Sequence, residues 1–327
     1  MESLAQGADE RYSDIFHGLQ DKQYYSIPNE ELSSVPYQRL SSVPKSNIYA
    51  MRTFNDDALA KLHAGDLTEY QTYYAQHGYL ILRNFIPASL IDVYLDLRRS
   101  LDLGDAQLKG MTPHVRHREV LDIASYRPLM DVIRELHGME MGLIFTLSGF
   151  KSTKRGWHQD AYLDDNLAIP RLASWIACGD VDSDCGPFQY LPGSHRWAAL
   201  SNKKINSYLK DDYQWPHGHV SREAGELGWG RISEAFIDPA VFGKIKAEHH
   251  AVHEFTAQKG DVLLWYGRLM HRGSPARVPG RQRPGLIGHY APLFERRRGY
   301  FAKRSNGVHF LAPPKSLPFL SDVLQVD

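Results

Sequence analysis

The chain has 327 residues, 43% of them hydrophobic and 23% charged, with Lys plus Arg and Asp plus Glu balanced at 38 each. That is the composition of a globular protein with a sizeable core, in one large or two modest domains. Zero formal charge excludes a global field for nucleic acid or an anionic membrane, and no run approaches the ~18 apolar residues of a membrane span.

Residues 1–50 are polar and punctuated by Pro28, Pro36 and Pro44. They read as an arm or tail, suited to packing on the core or on a second subunit in a homodimer, ahead of a domain over 51–327. The first ten residues lack the basic-then-apolar order of a secretory signal, so a cytoplasmic location is expected. Leu67, Tyr70 and Tyr74 space one face of a helix that ends at Gly78, and Tyr79 to Arg83 is a strand. Pro87 suits the first turn of a second helix carrying Leu90, Ile91, Tyr94, Leu97 and Leu101. A third runs near Pro128 to Leu136. Short β-type runs then dominate: Leu143 to Leu147, Ala173 to Ala177, Phe188 to Leu191, His253 to Thr256, Val262 to Tyr266 and Leu286 to Tyr290.

Many short strands bounded by Gly and Pro predict a mostly β fold with flanking helices, a double-stranded β-helix or jelly roll of the cupin kind. Residues 198–250 form an insert too long for an ordinary connection, rich in aromatics (Tyr208, Tyr213, Trp215, Trp229), and suit a substrate lid or small subdomain. The two cysteines, Cys178 and Cys185, are expected to be free thiols.

The chemistry concentrates in Gly156-Trp157-His158-Gln159-Asp160, answered by His271 after the run Asp261 to Tyr266. Residues two apart on an extended segment share a side, which would aim His158 and Asp160 together. Two imidazoles and a carboxylate form the facial ligand set of non-haem Fe(II) oxygenases, with the remaining corners open. Such a site carries a net positive charge that suits an anionic bidentate cosubstrate such as 2-oxoglutarate, whose distal carboxylate is best met by a guanidinium. Arg272, Arg277, Arg281 and Arg283 follow His271.

The trio has ordered company: Cys185-Gly-Pro-Phe-Gln-Tyr-Leu-Pro-Gly-Ser-His-Arg-Trp197, Gly260-Asp-Val-Leu-Leu-Trp265 and Gly285-Leu-Ile-Gly-His-Tyr290. Together these blocks resemble the phytanoyl-CoA dioxygenase superfamily of Fe(II)/2-oxoglutarate-dependent oxygenases, over roughly residues 67 to 295. The resemblance implies a jelly roll, metal ligands His158, Asp160 and His271, and cofactors Fe(II), 2-oxoglutarate and O2. It further implies an enzyme that oxidises, most simply hydroxylates, an unactivated C–H bond of a small molecule while 2-oxoglutarate becomes succinate. Related halogenases replace the carboxylate by a small residue, so Asp160 points to hydroxylation, desaturation or ring formation. The family's arginine precedes the hydrophobic-His-Tyr run, which implies Arg283, seven residues before Tyr290 though twelve after His271, about one more than usual. Arg281 is the alternative, with Trp175 beside the cosubstrate.

Around the barrel mouth, Gln159, Tyr162, Arg171, Gln189 and Trp265 are candidates to face substrate, with core packing equally open to each. Arg171, together with Lys151 and Lys154, suits a carboxylate-bearing or natural-product substrate. His195 is expected in a structural turn. The rival readings are a cupin-like metal-binding sensor, which would form no succinate, and a zinc hydrolase, which needs no arginine after His271 and whose helical His-Glu-x-x-His spacing is missing.

Overall fold

The computed structural model describes residues 67–108, 112–152, 155–160, 170–197, 238, 241–293 and 300–312. Helix α1 (Glu69–His77) opens on a reciprocal capping box, Thr68 accepting from the Gln71 amide and Gln71 from the Thr68 amide, which satisfies two otherwise orphaned donors. It ends at Gly78, whose φ of 79° is left-handed and whose missing Cβ would lie 2.4 Å from the His195 ring; only glycine meets both demands. Leu67 and Tyr74 pack inward as expected, but Tyr70 is 40% exposed, because so short a helix buries only a narrow stripe. Strand β1 (Tyr79–Leu82) follows, then α2 (Ala88–Ser100), which buries Ile91 and Tyr94 while Leu101 is its exposed cap. Helices α3 (Arg118–Ala124) and α4 (Arg127–His137) complete the layer.

The remaining strands are β2 (Met141–Gly149), β3 (Leu172–Ala177), β4 (Phe188–Tyr190), β5 (His253–Phe255), β6 (Val262–Tyr266), β7 (His271–Gly273), β8 (Gly285–Pro292), β9 (Tyr300–Lys303) and β10 (His309–Ala312). They form a seven-stranded sheet, β1-β6-β3-β8-β2-β10-β9, and a three-stranded sheet, β5-β4-β7. Among the described residues every strand pairing is antiparallel except β10 with β2. This is a double-stranded β-helix, and the period-2 alternation of its strands sorts the core into two compartments.

On the outer face of the large sheet, Leu80, Leu82, Leu264, Ile176, Leu286 and Tyr290 pack with Ile91, Tyr94, Leu121 and Ile133 of the helices. The Tyr290 hydroxyl donates to the Ala124 carbonyl of α3 (2.7 Å) and lies 3.0 Å from Ser174 Oγ. On the inner face, Tyr79, Leu263, Trp265, Ala173 and Trp175 meet Phe188, Tyr190 and Phe255 of the small sheet. Each large apolar side chain fully buried in either compartment contributes about 1.5–3 kcal/mol. The register sets one inward row across the large sheet, Tyr79 opposite Trp265, Trp265 opposite Ala173, Ala173 opposite His289 and His289 opposite Phe145. Ala173 is the small residue of that row, between Trp265 and His289.

Both cysteines are free and buried. Among the described residues no helix is long and apolar enough to cross a membrane. The 1–50 arm, Tyr162, Lys154 and the insert aromatics Tyr208, Tyr213, Trp215 and Trp229 lie outside the described residues.

Candidate metal centre

Backbone pairing brings the two histidines together. His158 and His271 form an isolated antiparallel bridge, His158 N donating to His271 O (3.0 Å) and His271 N to His158 O (2.9 Å), which prolongs the small sheet by one residue. The expected extended His-x-Asp segment is thus only one bridge residue long, and the chain turns into a helical conformation at Asp160. The turn still leaves the three side chains convergent, with one ligand atom of each within 4.8 Å of the others. Asp160 Oδ1 lies 3.7 Å from His158 Nε2 and 3.6 Å from His271 Nε2. Neighbouring corners around a first-row divalent ion with bonds near 2.1 Å are about 3 Å apart, against 3.7 and 3.6 Å for the two pairs that Asp160 makes.

Each ligand is also aimed by its second atom. His158 Nδ1–H donates to the Gly156 carbonyl (2.7 Å) and His271 Nδ1–H to the Leu269 carbonyl (2.9 Å), which fixes the tautomer and turns both Nε2 lone pairs to the centre. Asp160 Oδ2 accepts from the Trp265 indole (2.9 Å), leaving Oδ1 toward the histidines. Burial, with Arg155 and His271, pushes His158 well below its usual pKa, so it is neutral and able to ligate. Burial works against the Asp160 carboxylate, yet His271, His289, the Trp265 indole and Arg155 outweigh it and hold its pKa below the ordinary value. Phe188 stacks on His271 (4.9 Å, 15°) and packs against Trp265 (4.7 Å), walling one side.

Sequence reasoning did not single out His289 or Arg155. His289 stacks on Phe145 (4.0 Å) and stands edge-on to Trp265 (6.2 Å); burial lowers its pKa to about 4, against the pull of Asp160. Its signal was present, since alternation along β8 puts His289 on the face opposite Tyr290.

Arg283 is 4% exposed, donates to the Gly186 carbonyl (3.1 Å) and lies 5.8 Å from the Trp175 ring centroid, while its Nε has no hydrogen-bond partner among the described residues. Burial lowers its pKa to about 10, which leaves it cationic at neutral pH. A buried guanidinium with donor capacity left over fits a carboxylate ligand. Arg281, the alternative, stands at the surface in an ion pair with Asp182. Although it stands two residues from Arg283, a spacing that shares a side in a strand, it is not carried inward, because both precede β8 in an irregular segment.

The other candidates scatter. Gln189 is spent on Glu254 and Arg272, donating to the first (2.9 Å) and accepting from the second (2.6 Å). Arg272 lies between Trp157 and Phe242, 4.9 Å from each ring. Gln159 is 1% exposed, with neither amide atom hydrogen-bonded to a described residue. Arg171 is half-buried just ahead of β3, rather than sunk within the strand, and near enough to His289 to depress its pKa. Lys151 pairs with Asp105 (2.8 Å). His195 is fully buried against α1, donating to the Ala75 carbonyl (3.1 Å), as a structural turn requires.

A family model described as phytanoyl-CoA dioxygenase (PhyH) matches residues 74–284. No curated protein sequence matches the chain. Among solved structures it is similar to EctD from S. alaskensis with bound Fe, at 16% identity over 89% of this chain and 95% of that one, TM-score 0.50. It is also similar to the epimerase SnoN in complex with Fe3+, alpha ketoglutarate and nogalamycin RO (16% identity, 72% and 85% covered, TM-score 0.48). A third is HygX from Streptomyces hygroscopicus with nickel and 2-oxoglutarate bound (16% identity, 70% and 88% covered, TM-score 0.45). At 16% identity the likeness to EctD is one of fold.

Proposed function

The chain belongs to the phytanoyl-CoA dioxygenase family, and from that membership and its site we propose an Fe(II)/2-oxoglutarate-dependent oxygenase that hydroxylates a C–H bond of a small molecule. The observation that carries the reading is the convergence of His158, Asp160 and His271 with every second donor or acceptor already engaged, so that one face of three ligand atoms is presented. When bound, ferrous iron with 2-oxoglutarate and O2 supplies C–H oxidation coupled to decarboxylation of the cosubstrate to succinate. The protein's residues have simpler tasks. His158 and His271 hold the ion as neutral donors, and Asp160 lowers its net charge.

Trp265 occupies Asp160 Oδ2, so Oδ1 would be the oxygen offered to the ion. Arg283 takes the distal carboxylate of 2-oxoglutarate, with Trp175 packed beside it. Phe188 and Trp265 exclude water from one flank, and the neutral His289 offers a polar contact without a competing charge. Substrate selection is then a matter of positioning a carbon rather than of acid–base chemistry. The presence of Asp160 supports hydroxylation over halogenation.

The test is succinate release from 2-oxoglutarate under air with added Fe(II), first alone and then over pools of metabolites, with products read by mass spectrometry. Succinate formation that requires iron and oxygen is expected. Its absence across all pools, from protein shown to bind the metal, would overturn the reading in favour of a non-catalytic metal protein; product formed equally with Zn²⁺ and without oxygen would overturn it in favour of hydrolysis.

A further inference from the structure

The inner compartment holds a line of aromatic rings, oxidisable but for Phe188, between the candidate metal centre and the surface. It begins at Trp265, whose indole is hydrogen-bonded to the ligand Asp160 (2.9 Å). Tyr79 is the cross-strand partner of Trp265 in the β1–β6 ladder, and both side chains belong to the inner compartment; directly opposed residues have Cβ atoms about 4.5–5.5 Å apart. Tyr190 packs on Tyr79 (4.6 Å), and Phe188 fills the space between Tyr190 (6.2 Å) and Trp265 (4.7 Å). Tyr73 of α1 then stands edge-on to Tyr79 (5.5 Å) and donates its hydroxyl hydrogen to the Tyr79 oxygen (2.8 Å). Tyr79 is 5% exposed and Tyr190 2%, but Tyr73 is 38% exposed.

Packing alone does not ask for this chemistry. Leucine or phenylalanine would fill the same space without burying phenolic hydroxyls, which are costly to take from water. Burial and the shared hydrogen bond push Tyr73 up to about 12, and burial pushes Tyr190 to about 12, so both are intact phenols, the form that can give up an electron and a proton. Electron tunnelling falls steeply with the gap between donor and acceptor, and rings in contact exchange electrons fastest. Phenylalanine is too hard to oxidise to serve as a stop, so Phe188 is a bridge.

We infer that Trp265, Tyr190, Tyr79 and Tyr73 form an escape path that discharges at the protein surface an oxidising equivalent left at the metal centre when no substrate is present. The inference rests on the oxygenase reading, which supplies the oxidant through O2 and 2-oxoglutarate. One electron leaves Trp265 for that oxidant, which also takes up a proton from water. The loss at Trp265 is refilled from the Tyr79 and Tyr190 pair, and that in turn from Tyr73, whose phenolic proton goes to solvent. The resulting neutral phenoxyl radical is returned to phenol by an external one-electron reductant of the ascorbate or thiol class, with a proton from water. The net change is one electron carried from reductant to metal centre, with the chain restored.

The experiment uses the full-length, iron-loaded protein without prime substrate, freeze-quenched for electron paramagnetic resonance, with parallel samples for succinate and for peptide mass spectrometry of Trp265. One arm receives 2-oxoglutarate and air; the other receives hydrogen peroxide alone, which delivers oxidising equivalents to iron whether or not 2-oxoglutarate is used. Expected is a tyrosyl signal in both arms, erased by ascorbate, with Trp265 largely unmodified. The double variant Tyr79→Phe/Tyr190→Phe, which keeps both rings, should lose the tyrosyl signal and accumulate oxygenated Trp265. Tyr73→Phe, at the surface and tolerant for folding, should keep a radical that ascorbate reaches more slowly. Absence of a tyrosyl signal in the peroxide arm, or the same signal and the same Trp265 oxidation in the double variant as in the native chain, overturns the path. A tyrosyl pattern with peroxide but no succinate in the other arm supports the path and removes the 2-oxoglutarate reading instead.

Discussion

Replacing Trp265 by Phe is expected to weaken metal binding without unfolding the barrel. The indole N–H holds Asp160 Oδ2 at 2.9 Å, while Oδ1 faces His158 Nε2 at 3.7 Å and His271 Nε2 at 3.6 Å. A phenyl ring keeps an aromatic face against Phe188 and His271 and loses the donor, together with some buried volume. A hydrogen bond to a charged acceptor contributes about 1.5–3 kcal/mol, which at ~1.4 kcal/mol per decade is roughly 10- to 100-fold in affinity, the range found when groups supporting metal ligands are removed. Because the Asp160 side chain is 15% exposed, water recovers part of the lost bond, and the lower half of that range is expected. Titration of Mn(II) followed by electron paramagnetic resonance measures it, with circular dichroism to check the fold. Native-like affinity in a folded variant would refute the claim that Trp265 orients the carboxylate.

Arg283→Gln removes a buried cation from a charge pair worth about 2 kcal/mol or more, so calorimetry on Mn(II)-loaded protein without oxygen should show 2-oxoglutarate binding weakened roughly 30-fold or beyond. Arg281→Gln, which breaks an exposed pair with Asp182, should leave that affinity unchanged, and the reverse pattern would exchange their roles. Asp160→Gly should abolish hydroxylated product; full activity retained in that variant would contradict the ligand assignment. Burial lowers the pKa of His114 and His289 to about 4 and that of His137 and His195 to about 3, leaving all four neutral in the folded chain. The unfolded chain therefore binds more protons once pH drops below 6.5, and stability should fall by about 1.4 kcal/mol per pH unit for each buried group between pH 6.5 and its folded pKa. Denaturant melts of the metal-free chain across that window measure the slope, and a flat profile would show these rings are not held neutral.

What the sequence made legible was whatever depends on local pattern. The strands from Ala173, Val262 and Leu286 could be read from β-branched and aromatic runs, and α1 from its spacing and Gly78. Strands β9 and β10 are less apolar, yet Asn306-Gly307 between them is a hairpin signal, and Gly307 has the positive φ such a turn needs. Helix α3 is too short for periodicity to register. The metal trio was readable because the spacing His-x-Asp is itself chemistry. By contrast, the bond from Trp265 to Asp160 spans 105 residues of chain, and no local pattern encodes that pairing. The resemblance favours Arg283 over Arg281 by its place before Tyr290, whereas their difference in burial is something an irregular segment does not announce.

The bridge between His158 and His271 bears on how the chain behaves before metal arrives. Among the described residues, the ligand segment joins the small sheet by one rung of backbone pairing, with the Trp157 ring packed near the Arg272 guanidinium of β7 and the Trp157 amide fastened to Asp238 (2.7 Å). A lone rung at a sheet edge frays easily, and fraying here would part the two imidazoles and uncover Trp157, which is otherwise fully buried. An ion bound to both rings locks the same seam from the side-chain side. Metal loading therefore acts as a local zipper: amide exchange at His158 and His271 should slow sharply on binding Mn(II), while exchange in the β3 and β8 core stays as it was.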